Sequence, residues 1–174
     1  MKQIRLSGSG GQGVITAAII MAEAAVSEGK EAVQTQSYGP EARGGASKAE
    51  VIISNAPIYH PKVTTPDLLL AMTQQAADKY ITDLSADGIL VVDEDLVPNP
   101  PAFSGKIVRV PITRMAVEEI GKDLFANIIA LGVMSKLSGL VSDDAVRTAV
   151  SHRVPPATIE KNMKALELGF KAAQ

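Results

Sequence analysis

Residues 8–13 read Gly-Ser-Gly-Gly-Gln-Gly, and this segment constrains the fold more than any other part of the chain. It follows a short apolar stretch with Ile4 and Leu6, and it precedes a long segment with apolar residues at helical spacing. A strand, a glycine turn and a helix start in this order bring backbone N–H groups close to an anion such as a phosphate. The order therefore predicts a strand–turn–helix unit of an α/β fold.

The spacing Gly8-x-Gly10-x-x-Gly13 matches the dinucleotide fingerprint, in which glycines permit a tight turn and close ligand approach. That fingerprint also expects an Asp or Glu about 20 residues further on, at the end of the second strand. Here the second predicted strand ends Gln-Thr-Gln at 34–36, which disfavours NAD or FAD. Two readings stay open: another anionic ligand at the turn, or glycines that only pack the helix against the sheet. The amide of Gln12 bonds either a ligand or a neighbouring loop.

A second glycine-rich segment, Ser-Tyr-Gly-Pro-Glu-Ala-Arg-Gly-Gly, occupies residues 37–45. Arg43 has the donor geometry for a two-pronged contact to a phosphate or carboxylate. The alternative is a surface loop in which Glu41 and Arg43 are solvated or paired with each other. This segment taken alone leaves both alternatives open.

Hydrophobic periodicity and turn residues place the remaining elements. Strands are predicted at 2–7, 32–36, 49–54, 67–72, 89–93 and 107–110, and helices at 12–28, 73–84, 113–120, 124–137, 143–150 and from 156 to the C-terminus. Aromatic residues make up only 3% of the chain, so the core is built from Val, Ile, Leu, Ala and Met. We expect a Rossmann-like α/β fold: an open twisted parallel or mixed sheet, helices on both faces and a helical C-terminal segment.

Composition excludes several classes of protein. The net charge is −2, from 17 basic and 19 acidic residues, which argues against a nucleic-acid binder. There is no apolar run of about 18 residues, as a membrane span requires, and residues 1–5 lack the apolar core of a signal peptide. We therefore expect a cytoplasmic protein. The chain has no cysteine, which excludes disulfides, a catalytic thiol and thiolate ligation of an iron–sulfur cluster.

Few other side chains suggest chemistry, and no metal site or catalytic residue is predicted. His60 and His152 are far apart in the sequence and lack partners at zinc-ligand spacing. The acidic run at 93–95 follows a predicted strand, and a solvated turn is favoured over a cation site. Asn127 lies in an otherwise apolar helix, so it must be hydrogen-bonded. It either ties down a loop or faces a ligand or a subunit.

The two glycine-rich segments together resemble a known family. Residues 7–14, 36–45 and Ser47 with the strand after it look like the gamma subunit of the 2-oxoacid:ferredoxin oxidoreductases. Pro61, Pro66 and the residues at 67–68 fit the same pattern. Within that family the 2-oxoglutarate (2-ketoglutarate) synthase gamma subunit is the most similar, and pyruvate, branched-chain 2-oxoacid and indolepyruvate enzymes carry similar domains. The resemblance covers the chain, so we expect 1–174 to form one gamma-type domain.

The resemblance implies an assembly that oxidatively decarboxylates a 2-oxoacid, with coenzyme A as acyl acceptor and ferredoxin as electron acceptor. Thiamine diphosphate, magnesium and iron–sulfur clusters are then expected in partner subunits: alpha, beta and a ferredoxin-like delta subunit. The missing cysteines agree with that division. Such a chain is not expected to be active alone, and in isolation it can form a homodimer.

The resemblance also implies that some residues lie near coenzyme A or the facing subunits and help to close the active site. These are Gly8, Ser9, Gly10, Gly11, Gln12, Gly13, Ser37, Tyr38, Arg43 and Asn127. Where some pyruvate enzymes carry lysines in the second segment, this chain has Ala42 and Arg43. Two other hypotheses remain: a purely structural assembly subunit, and a free-standing nucleotide-binding oxidoreductase. The missing acid after the second strand argues against the latter.

Overall fold

The structure is a computed structural model that describes residues 1–37 and 45–174. Its strands are β1 Lys2–Ser9, β2 Glu31–Gln36, β3 Ala46–Ser54, β4 Leu68–Ala71, β5 Ile89–Asp93 and β6 Lys106–Val110. Its helices are α1 Val14–Ser27, α2 Gln74–Tyr80, α3 Ile112–Met115, α4 Ala126–Ser138, α5 Asp143–Arg153 and α6 Ile159–Ala172. Each predicted strand and helix is present, with shifted ends.

The helix ends follow local chemistry. Helix α1 begins at Val14 rather than at residue 12, because Gly13 has a left-handed φ of 75°. The side chain of Thr73 caps α2, accepting from the Ala76 N–H at 3.2 Å. Helix α3 continues into a π-helical turn, Ala116–Ile120, which ends at Gly121 with a φ of 97°.

The six strands form one mixed sheet in the order β2-β3-β1-β4-β5-β6. Strands β1, β4, β5 and β6 are mutually parallel, while β3 is antiparallel to both β1 and β2. This confirms the predicted open mixed sheet. The parallel half contains the apolar runs of β4 and β5, which are buried because helices cover both faces there.

The two faces of the sheet carry different cores. On one face, residues such as Ile4, Leu6 and Val51 pack in a large cluster with helices α1, α4, α5 and α6. On the other face, a smaller cluster joins β4 and β5 to Ala77 and Tyr80 of α2. Helices therefore cover both faces, as expected, and the C-terminal helices thicken one of them.

Candidate functional site at the carboxyl edge of the sheet

The ends of the parallel strands bring the predicted site residues to one edge. Strands β1, β4, β5 and β6 run in the same direction, so the segments after Ser9, Ala71, Asp93 and Val110 all emerge there. Antiparallel β3 starts at the same edge, since Ala46 pairs with Ser9. In open α/β sheets, ligands bind outside the carboxyl ends of the strands.

The glycine turn joins β1 to α1 at this edge. Gly11 and Gly13 have φ values of 89° and 75°, in the left-handed region where side chains are strained. Gly13 occupies the N-cap position and has no side chain to accept from the first N–H groups of α1. The 14-residue helix thus presents unpaired donors and the positive end of its dipole at the turn, which favours an anion.

Gln12 holds the turn together. Its Oε1 accepts from the Ser9 N–H at 2.7 Å, and its Nε2 donates to the Met72 carbonyl at 3.4 Å. A Cβ at Gly8 would overlap Gln12 Oε1 and lie 3.0 Å from Met72 Cβ. Of the two roles that the sequence left open for Gln12, the structure shows the bond to neighbouring backbone.

Asn127 contacts the same turn. Its Nδ2 donates to the Gly13 carbonyl at 3.3 Å, and a Cβ at Gly13 would lie 2.5 Å from that nitrogen. The side chain is half-buried at the start of α4. The hydrogen bond required of this Asn therefore ties α4 to the turn, and two predicted parts of the site meet although they are 114 residues apart.

Ser37 lies at the same edge, two strands away from the turn. Its N–H donates to the Lys48 carbonyl at 3.2 Å, and β3 separates it from Ser7, which pairs with Lys48. Two strand spacings place it about 10 Å from β1. Tyr38 and Arg43 lie outside the described residues.

A pocket of about 320 Å³ opens beside the glycine turn. It is lined by Gly11, Gln12, Met72, Leu96, Thr113, Asp123, Leu124 and Ala126. Most of these residues come from four separate connections, so no sequence pattern joins them. In the structure, two large apolar side chains of this lining are exposed: Leu124 is 69% exposed and Leu96 is 38% exposed.

Asp93 supports one wall of this pocket. It is fully buried, unlike the solvated turn that the sequence suggested, and its Oδ2 accepts from the N–H (2.8 Å) and the hydroxyl (2.6 Å) of Thr113. The neighbouring Glu94 and Asp95 instead pair with exposed Arg114 at 3.2 and 2.7 Å. Within 1–37 and 45–174, no three His, Cys, Asp or Glu residues form a group that could hold a metal ion.

A buried ion-pair cluster on the other face was missed by sequence reasoning. Arg5, with a side chain 3% exposed, donates to Glu50 at 2.7 Å and to Asp83 at 2.5 Å. Burial lowers the pKa of Arg5, but the hydrogen bonds to Asp83 and Glu50 raise it above its ordinary value. The sequence does contain one indication of this cluster, because Arg5 lies between Ile4 and Leu6 in a buried strand. A buried charge needs a partner, so an acidic residue could have been expected near it.

A second pocket of about 320 Å³ lies at the opposite edge, near Lys2, Asp67 and Ser138. It faces the amino ends of the parallel strands and is remote from the glycine turn. The carboxyl-edge pocket is therefore the better candidate. None of the helices in the described residues is long and apolar enough to cross a membrane.

The fold is that of a Rossmann-like α/β protein, with a glycine turn and a small pocket at the carboxyl edge of its sheet. The family model described as pyruvate ferredoxin/flavodoxin oxidoreductase matches residues 3–172. The chain belongs to this family and is a subunit of the gamma type.

Individual relatives agree with this assignment. The chain is 49% identical to the 2-oxoglutarate synthase subunit KorC of Methanocaldococcus jannaschii, over 99% of this chain and 94% of that protein. The crystal structure of a keto/oxoacid ferredoxin oxidoreductase gamma subunit from Geobacter sulfurreducens is 49% identical, with a TM-score of 0.89 over 99% of this chain and 98% of that chain.

A more distant structure shows the same fold inside a longer chain. The 2-oxoglutarate:ferredoxin oxidoreductase from Magnetococcus marinus was solved with 2-oxoglutarate, coenzyme A and succinyl-CoA bound. It is 22% identical, with a TM-score of 0.88 over 99% of this chain and 31% of that chain.

Proposed function

We propose that this chain is the gamma subunit of a thiamine diphosphate-dependent 2-oxoacid:ferredoxin oxidoreductase that forms acyl-CoA from 2-oxoglutarate or a related 2-oxoacid. Its role in that enzyme is to bind coenzyme A and to close the active site. The observation that carries the proposal is the near-full-length relation to a 2-oxoglutarate synthase subunit. The glycine turn supports it, because α1 presents unpaired N–H groups at the edge where such folds bind ligands.

The proposed role of each site residue follows from the hydrogen-bond donors that it presents. Coenzyme A carries a diphosphate, which the first turn of α1 attracts by its N–H groups and dipole. Ser37, Tyr38 and Arg43 are proposed to complete this anion site from the second glycine-rich segment. Asn127 and Gln12 hold the turn in its ligand-ready shape through their bonds to Gly13 and Ser9.

The redox and decarboxylation chemistry is proposed to belong to partner subunits. The chain has no cysteine to ligate an iron–sulfur cluster. Thiamine diphosphate with magnesium, held by alpha or beta subunits, would supply the decarboxylation chemistry, and clusters there or in a delta subunit would pass electrons to ferredoxin. This chain, as one cytoplasmic domain of 174 residues, would then be inactive alone.

The first test is affinity purification of the chain from its native cell under anaerobic conditions, followed by mass spectrometry of the proteins that come with it. We expect larger subunits carrying thiamine diphosphate and iron–sulfur clusters, and dye reduction that requires both a 2-oxoacid and coenzyme A. Recovery of the chain alone with a bound nucleotide would instead support a free-standing oxidoreductase.

A second test separates a ligand-binding subunit from a purely structural one. In the purified complex, Arg43→Ala should raise the KM for coenzyme A about tenfold, as expected for one lost charge-assisted hydrogen bond. The complex should stay intact and the KM for the 2-oxoacid should not change. Arg153→Ala is the matched control, because Arg153 is exposed on α5 and pairs with Glu23. An unchanged KM, or a complex that dissociates, would contradict the role of Arg43.

A further inference from the structure

We propose that the pocket beside the glycine turn binds the uncharged, amide-bearing thiol arm of the acyl carrier, and that Thr113 selects this arm by accepting a hydrogen bond from it. This inference rests on the proposed function. Asp93 acts as a positioning residue, because it touches Thr113 and lies beneath the pocket wall.

The size of the pocket suits an arm rather than a whole cofactor. Its volume of about 320 Å³ lies at the lower end of the range of roughly 300–1,000 Å³ for small-molecule sites. Gly11 and Gln12 line it on one side, so the pocket is continuous with the turn proposed to hold the diphosphate. A carrier bound at the turn can therefore extend its arm into the pocket without a gap.

The lining of the pocket combines apolar side chains with three polar ones. Met72, Leu96, Leu124 and Ala126 supply the apolar surface. The polar lining side chains besides Gln12 are Thr113 and Asp123. A site of this composition fits a mostly aliphatic ligand with a few polar groups whose partners fix its orientation.

The charge of the pocket lining disfavours a phosphate. Asp123 is the one charged residue among those that line the pocket. A phosphate here would meet the like charge of Asp123 at short range, which is unfavourable. We therefore place the anionic part of the carrier on the other side of the turn, towards Ser37, and an uncharged part in the pocket.

The hydrogen bonds of Thr113 determine whether the bound arm must supply a donor or an acceptor. Its hydroxyl donates its single proton to Asp93 Oδ2 at 2.6 Å. The same carboxylate oxygen accepts from the Thr113 N–H at 2.8 Å, which fixes the backbone as well. A hydroxyl whose proton is committed can only accept further bonds. Thr113 is thus a fixed acceptor that matches an amide N–H and rejects an arm with only carbonyl or ether oxygens.

The test uses the complete purified enzyme complex and coenzyme A as the varied substrate. Thr113→Val keeps the shape but removes the acceptor, so the KM for coenzyme A should rise about tenfold. The KM for the 2-oxoacid and the kcat should stay within about twofold of the parent values. Thr113→Ser should restore most of the affinity, a rescue that a purely structural role of the methyl group would not give. Thr82→Val is the matched control: Thr82 is exposed, and its hydroxyl donates to the Lys79 carbonyl away from the pocket.

Leu124→Trp gives a second test that does not depend on Asp93. Leu124 is 69% exposed, so a larger side chain there fills the pocket without disturbing the core. The variant should keep the parent melting temperature and raise the KM for coenzyme A. An unchanged KM in both Thr113→Val and Leu124→Trp would overturn the proposal, as would a serine variant as impaired as the valine variant.

The Arg43→Ala result separates the two proposals. If Arg43→Ala impairs coenzyme A use while Thr113→Val and Leu124→Trp do not, this chain binds the carrier but the arm lies elsewhere. If none of the three variants changes the KM, this chain does not bind the carrier, and the proposed function itself fails.

Discussion

On β1, Ile4 and Leu6 point to one face of the sheet, while Arg5 and Ser7 point to the other. The first pair is buried in the large core with α1 and α4. Burying each such side chain contributes about 1.5–3 kcal/mol. The stability of this face comes from close packing and buried apolar area, and its side chains need no specific hydrogen-bonding or charged partner.

The other face depends on matched charges. Arg5 lies between Glu50, 8% exposed, and Asp83, 41% exposed, and its guanidinium is 5.4 Å from the centre of the Tyr80 ring. Lys48 adds a second cation, 2.9 Å from Glu50. Removing water from charges is costly, so each depends on its partners. One strand is thus stabilised by buried apolar area on one face of the sheet and by ion pairs on the other.

Arg5→Met should have the largest effect on the free energy of unfolding, a loss of about 3–5 kcal/mol, because it leaves Glu50 buried without its main partner. Urea unfolding of the isolated chain measures this loss. The double variant Arg5→Met/Glu50→Leu should recover part of it, since both charges are gone. A cost below about 1 kcal/mol for the single variant would show that the ionic face is not stabilised by pairing.

Leu6→Ala probes the apolar face of the same strand. The cavity it creates should lower the free energy of unfolding by about 3 kcal/mol. Unlike Arg5→Met, this change leaves no unpaired charge, so a second substitution cannot restore stability. The double variant Leu6→Ala/Val51→Ala should therefore have a lower free energy of unfolding than either single variant. Urea unfolding again measures it. If the double variant were more stable than Leu6→Ala alone, the two faces would not differ in the way proposed.

Sequence reasoning predicted the fold where a pattern is local. The apolar runs at 67–72 and 89–93 indicated buried parallel strands, and the glycines at 8–13 indicated the β1–α1 turn. The strand order and the antiparallel direction of β3 were not predicted, because pairing depends on contacts between distant segments. The pairing of Arg5 with Asp83 spans 78 residues and leaves no local signal.

The candidate site divides in the same way. The glycine turn and Asn127 were predicted from their residue types, and the structure brings them together at Gly13. The pocket wall at Thr113 was missed, because a threonine after a strand is ordinary until Asp93 is seen to hold it. The contacts that the second segment, with Tyr38 and Arg43, makes to a ligand stay a prediction.

Tyr80→Phe tests how the ionic face supports the start of β3. The Tyr80 hydroxyl donates to the Ala46 carbonyl at 2.8 Å in a buried setting. Its removal should lower the free energy of unfolding by about 1 kcal/mol, while the ring keeps its place over Arg5. Hydrogen exchange should also quicken at Ser47 more than at Ile53, because β3 loosens from its first residue. Equal exchange along β3 would mean that Tyr80 does not anchor that end.

Glu28→Gln should have the smallest effect, because its ion pair is open to water, unlike that of Arg5. Hydrogen bonds from Lys30, at 2.8 Å, and from the Ser142 N–H lower the pKa of Glu28 to about 2. Since the folded pKa lies below the unfolded one, the stabilisation is complete above about pH 4.5. It is lost progressively below that pH, as the pH falls through the folded pKa of about 2.

Solvent screening keeps this contribution below about 1 kcal/mol. Urea unfolding at pH 6, 4 and 2.5 should show the Gln variant less stable than the parent at pH 6, with a difference that shrinks towards pH 2.5, where Glu28 begins to take up its proton in the folded state. The matched control is Glu160→Gln, another exposed carboxylate, on α6. A difference between Glu28→Gln and the parent that has the same size at all three pH values would assign the effect to lost shape rather than to charge. The contrast between the two ion pairs would then disappear. In that contrast, the exposed Glu28 pair stabilises the fold by an amount that depends on pH, whereas removing one partner of the buried Arg5 pair is costly in itself.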